Sequence, residues 1–140
     1  MLAYFTDPVG QNYYRVLTSR QSQDITNYIE GDNSIFSLEL FDGKPVPGIW
    51  LQGARADNDT LTKYPEYFRL GDTVGLKWCA IDRAQYDFWE TYESNRNGSG
   101  PFSPPVYIKT NIKGGLGVWA GTGVKYYTTF PQNGQLLIVK

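Results

Sequence analysis

Catalysis needs nucleophiles, imidazoles, thiols or paired carboxylates at workable spacing, and this chain is poor in them. It has no histidine and a single cysteine, Cys79. The commonest general base and transition-metal ligand is therefore missing, and no intramolecular disulfide can form. A zinc site built on cysteine pairs is excluded for the same reason. With no histidine to activate it, Cys79 reads as a structural thiol on an alternating strand. Carboxylates are plentiful: Asp57, Asp59, Asp72, Asp82, Asp87, Glu90 and Glu93 could supply the two groups a glycosidase holds at a set separation. Asp82 is better read as a helix cap, and Asp87, Glu90 and Glu93 as the solvated face of that helix. Asp57-Asn58-Asp59 offers oxygen ligands to calcium but lacks EF-hand spacing, so it reads as a polar loop. No catalytic residue, metal or cofactor is expected.

Binding candidates come from aromatic side chains. Trp78 and Trp89 fall on apolar faces and read as core. Trp50 lies beside a loop and Trp119 among glycines, where exposure and stacking on sugar rings are more plausible. Tyr107 and Asn111 share with Trp119 the stretch PFSPPVYIKTNIKGGLGVWAG, residues 101–121. Trp50, Trp119, Tyr107 and Asn111 are the candidate binding set. The plainer reading of the stretch is a tight hairpin turning at Gly114-Gly115, with Gly114, Gly115 and Gly117 permitting positive φ or close strand approach. Gly48-Ile49-Trp50 and Gly117-Val118-Trp119 both match the short G-x-W found near the start of lipocalins. Two matches in one chain show how little that pattern weighs.

These residues must be positioned by a fold, and composition favours strands. The 140 residues are 16% aromatic and carry 15 Gly and 8 Pro, which suits strands joined by turns. One domain with one core is the expected size class. Net charge is −1, and no run of Lys or Arg provides the footprint of a nucleic-acid binder. No apolar stretch is long enough for a membrane helix. The start, MLAYFTDPVGQNYY, lacks a basic region followed by a long apolar one, so no signal peptide is read there. A piece of a longer protein is the simplest expectation.

Alternation gives strands over residues 2–6, 12–18, 35–41, 73–81, 124–130 and 135–139, with a weaker one at 25–29; residues 49–55 can extend again, and 67–70 leads into 73–81. Residues 44–48 read as a loop, because Pro45 and Pro47 remove two ladder donors. Residues 83–95 read as one helix, capped by Asp82 in a capping box with Gln85. Two further strands flank Gly114-Gly115. The total is about eight strands and one helix, arranged as an antiparallel sandwich or an up-and-down barrel.

Several motifs resemble a known family. They are, in order, Asp7-Pro8 with Asn12-Tyr13-Tyr14-Arg15, Leu40-Phe41-Asp42-Gly43, Gly71-Asp72 with Ile81-Asp82, and Tyr86-Asp87-Phe88-Trp89. Pro101-Phe102-Ser103 with Pro105-Val106, and Asn111 to Trp119, complete the series. Together they resemble the C-terminal part of a lipoprotein family of Bacteroides-type bacteria, the domain-of-unknown-function family numbered 4249. Its members are often encoded beside TonB-dependent outer-membrane transporters. They usually carry a lipobox cysteine and an immunoglobulin-like domain ahead of this region, and both are absent from this sequence. The resemblance implies an extracytoplasmic β-domain, outer-membrane-associated or periplasmic, and brings no catalytic residues with it. The expectation is a non-catalytic accessory or binding module of an uptake system, with a TonB-dependent transporter or another envelope protein as partner. The alternative is a carrier of a glycan or hydrophobic molecule, and third is a carboxylate-based hydrolase.

Overall fold

The computed structural model describes residues 1–20, 28–51, 68, 73–98, 104, 106–130 and 136–138. Among these residues, seven strands and one α-helix appear in the order β1 (Leu2–Thr6), β2 (Tyr13–Arg20), β3 (Ile29–Ser37), β4 (Pro45–Trp50), β5 (Val74–Ile81), α1 (Arg83–Asn97), β6 (Gly123–Thr129) and β7 (Leu136–Ile138). A 3-10 turn at Glu39–Phe41 follows β3. The strands form two sheets, of order β4-β1-β7 and β3-β2-β5-β6. All pairings are antiparallel except the parallel β1–β7 pair. The fold is mainly β, and among the described residues the sheets do not close into a barrel.

Alternation explains the layering. Val74, Leu76 and Trp78 on β5 point the same way, and all three are buried with Tyr14 and Val16 of β2 and Ala3, Val46 and Ile49 of the other sheet. Phe5 drives its ring edge-on against Tyr14 at 5.9 Å and Trp78 at 5.0 Å. Such T-shaped pairs add to the burial term because the positive ring edge meets a negative face. The opposite face of β2 carries Tyr13, Arg15 and Leu17. There α1 lies down as a third layer: Tyr86 packs on Tyr13 at 4.9 Å, and the Arg15 guanidinium sits 3.5 Å over the Trp89 ring.

Three expectations need correction. Residues 44–48 are not a loop, since Pro45 opens β4 and pairs with Thr6. β4 is an outer strand, where missing N–H groups face no partner; Pro45 and Pro47 are exposed while Val46 and Ile49 turn inward. The strand expected over 35–41 stops at Ser37, and the chain coils through Glu39–Phe41 instead. No strands flank Gly114-Gly115: residues 106–120 form a loop without a ladder. The expectations at 25–27, 52–55, 67, 69–70, 135 and 139 lie outside the described residues, as do Asp57-Asn58-Asp59 and Asp72. Phe68 is described and packs against the core.

The motif residues at the corner before β2 tie that corner together. Asp7 is buried, accepting from Tyr14 Oη at 3.2 Å and from Asn12 Nδ2 at 3.4 Å. Asn12 also donates to Pro8 O, and Gly10 N donates to Asp42 Oδ1 at 2.7 Å. Burial, followed by the Asp7 charge and hydrogen bond, pushes the Tyr14 phenol up to about 12.

Candidate binding surface

The helix supplies the platform. Asp82 caps it by accepting from Gln85 N at 2.8 Å, which satisfies one of the amides a helix start leaves orphaned. The other half of the expected capping box is absent. The Gln85 side chain reaches away, donating to Gly121 O at 2.9 Å and accepting from Thr122 Oγ1 at 3.0 Å. That pins the end of the 106–121 loop just before β6. The start of the loop is pinned further along the helix: Lys109 N donates to Thr91 Oγ1 at 3.0 Å, and Lys109 Nζ lies 3.4 Å from Asp87 Oδ1.

Between these anchors the loop is closed by side chains. Asn111 Oδ1 accepts from Trp119 N at 2.9 Å, and Asn111 Nδ2 donates to Trp119 O at 2.7 Å. One carboxamide thus makes the two bonds that a facing strand residue would make. Thr110 Oγ1 donates to Gly117 O at 2.5 Å and accepts from Ile112 N at 3.1 Å. Gly114 lies at φ 75° and Gly117 at φ 152°, and a Cβ on Gly117 would come within 3.0 Å of Ile112 Cδ1. Gly115 stays outside positive φ, so Gly114-Gly115 is not a type I′ turn, which requires φ > 0 at both central residues.

The loop also holds large apolar side chains in water. Trp119 is 85% exposed, Tyr107 82% and Leu116 67%, and Val106 and Ile112 are also exposed. Where the loop meets the helix lies an open groove of about 330 Å³ lined by Ala84, Asp87, Tyr107, Lys109, Thr110 and Asn111. Tyr107 and Asn111 from the candidate set therefore share one groove, and Asn111 carries Trp119. Trp50 is apart from them: half exposed, it ends β4 in the other sheet.

The described acidic candidates each hold a separate role. Among the described residues Asp87 is the one carboxylate lining the groove, and Arg83 and Lys109 both pair with it, at 3.0 Å and 3.4 Å. Glu90 accepts from Tyr86 Oη at 3.1 Å. Glu93 corrects the reading of a solvated face: it is 6% exposed and accepts from Ser34 Oγ. Burial pushes its carboxyl up, against the Ser34 hydrogen bond and the Arg15 charge that pull it down. Residues 86, 89 and 93 follow i, i+3, i+7, so Glu93 continues the stripe that Tyr86 and Trp89 lay on the sheet. That spacing was the signal for it. Cys79 is buried and its thiol is pushed up by that burial, the opposite of a reactive thiolate.

A family model for a domain of unknown function, DUF4249, matches residues 1–128. The chain belongs to that family. No curated protein and no solved structure matches it. Within DUF4249, the motif residues described here have structural work to do. Asp7 and Asn12 tie the corner, Asp42 holds Gly10, Asp82 caps α1, Trp89 covers Arg15, and Asn111 closes the loop. These residues build a scaffold, and the exposed Leu116 and Trp119 sit on the loop that it holds.

Proposed function

We propose that this chain is a non-catalytic binding module of the cell envelope, docking a partner protein through the outer face of its 106–119 loop. The observation that carries this reading is a pre-ordered loop with Tyr107, Leu116 and Trp119 in water. Large apolar side chains held in water gain by being covered by a partner, and fixing the loop beforehand lowers the ordering cost of association. Aromatic residues at the centre of a rigid patch are the usual energetic anchors of an interface. An outer-membrane uptake system with a TonB-dependent transporter as partner is the setting that the family resemblance suggests. The test is a cross-linked pull-down from native outer membranes with the tagged chain. Recovery of a transporter supports the module reading, and recovery of no specific envelope protein overturns it.

The groove supports a second reading. Its size lies at the low end for small-ligand sites, and Tyr107 offers a ring for a sugar face beside the Asp87–Lys109 pair. In this reading the chain carries a glycan. Fluorescence titration of the wild type and Tyr107→Ala with oligosaccharides separates the two.

A further inference from the structure

Charge is segregated along this chain, which the net charge of −1 conceals. Residues 1–93 hold all fourteen acidic residues with eight basic ones, whereas residues 94–140 hold five basic residues, Arg96, Lys109, Lys113, Lys125 and Lys140, and no acidic one. Strand β6 lies in that acid-free segment.

Among the described residues β6 is also the outer strand of its sheet, pairing with β5. Its register runs unbroken from Gly123 opposite Ala80 to Thr129 opposite Val74. Among the described residues, no backbone hydrogen bond is made to its outer side. Outer strands are normally blunted by proline, a bulge, charged side chains such as lysine, or a covering segment. β6 has neither proline nor bulge over its seven residues, and one lysine, Lys125. By register, Val124 and Tyr126 share a face with Cys79 and Lys77, and Lys125 shares the other with Trp78. Val124, Lys125 and Tyr126 are exposed, and neither lysine has an ion pair among the described residues.

We propose that β6 takes an extended acidic peptide segment of a partner protein as a fifth strand of this sheet. The proposal rests on the binding-module reading and adds to it the class of partner and the mode of pairing. An added strand gains main-chain bonds along the free edge, and its alternate side chains are read separately on the two faces. Acidic side chains would meet Lys125, while apolar ones would lie beside Val124 and Tyr126. A second copy is a poor occupant, because pairing β6 with β6 brings two acid-free segments together with no opposite charge to meet. A ladder of amides at strand spacing matches a polypeptide rather than the phosphates of a nucleic acid.

The test uses a labelled, capped peptide of four Glu-Val repeats, read by fluorescence anisotropy and by hydrogen exchange of the whole chain. Its controls are a Lys-Val peptide, Glu-Val peptides N-methylated at every Val or at every Glu, and an oligo-thymidine of equal charge. The Glu-Val peptide should bind at least about tenfold more tightly than the Lys-Val peptide at low salt. Exchange of β6 amides should slow, and one N-methylated series should lose binding. Lys125→Glu should remove the preference for acid. Absence of binding, equal binding of both charge signs, tolerance of both N-methylated series, or equal binding of the oligonucleotide overturns the proposal. So does a concentration-dependent dimer that protects β6 without peptide. If envelope capture depends on the 106–119 loop but ignores Lys125→Glu, the edge proposal fails while the module reading stands.

Discussion

Asn111 holds Trp119 by both of its backbone polar groups, with its side-chain oxygen 2.9 Å from Trp119 N and its side-chain nitrogen 2.7 Å from Trp119 O. A short side chain there does the work of a strand residue. The Trp119 ring is left free to face water on a backbone that is fixed.

The first prediction concerns that clasp. Asn111→Asp keeps the acceptor but sets a second oxygen against Trp119 O, and Asn111→Ala removes both bonds. Each variant should unfasten the loop while costing the whole fold only about 1–2 kcal/mol, because the bonds are exposed. Hydrogen exchange at the Trp119 amide should rise in both, with β5 amides unchanged. Unchanged exchange at Trp119 would show that the glycine turn holds the loop unaided.

Leu76 and Leu116 separate folding from docking. Leu76 has no exposed surface, so Leu76→Ala should cost about 2–5 kcal/mol in urea unfolding. Leu116 is exposed, and Leu116→Asp should shift stability by no more than about 0.5 kcal/mol. It should nonetheless abolish partner capture.

Glu93 gives a pH prediction with a definite sign. Its carboxyl is raised in the folded state, with burial the largest cause. Folded protein therefore holds this proton more tightly than unfolded chain, and the resulting stability is present below the ordinary carboxyl range. It is lost as pH rises through the raised folded value. Glu93→Gln keeps an acceptor for Ser34 and has no charge to bury. The variant should match the wild type near pH 3.5 and exceed it progressively toward pH 7. A difference that shrinks as pH rises would contradict the assignment.

Arg15 joins the sheet to the helix. Its guanidinium lies 3.5 Å over Trp89, pairs with Glu30, and is 3.4 Å from Ser34 Oγ. A lysine keeps the charge but loses the planar stacking and the fork of donors. Arg15→Lys should cost about 1–3 kcal/mol and release the helix first. Far-ultraviolet dichroism together with Trp89 fluorescence would follow it.

How much of this was legible depends on what carries each element. The strands at β2 and β5 were readable because Val74, Leu76 and Trp78 alternate, and a period of two leaves one solution for the core face. Asp82 was readable because capping is local. β4 was hidden because proline argues against a ladder unless the strand is known to lie outside, and sheet position is not a local property. The Asn111 loop was half legible: glycines announced a turn, but nothing in a periodicity scan reports a side chain standing in for a strand. Glu93 was lost by weighing its charge above its spacing. The apolar patch was partly legible, since Trp119 among glycines suggested exposure, whereas Trp50 belongs to the other sheet.

The central claim is that the 106–119 loop is the docking surface. The most direct measurement places a photo-crosslinking amino acid at Leu116 and, separately, at Leu40, which is 86% exposed on the 3-10 turn. Both proteins are irradiated on native outer membranes. The account predicts a discrete adduct with one envelope protein from position 116 and none from position 40. Adducts from position 40 alone, or identical patterns from both, would contradict it.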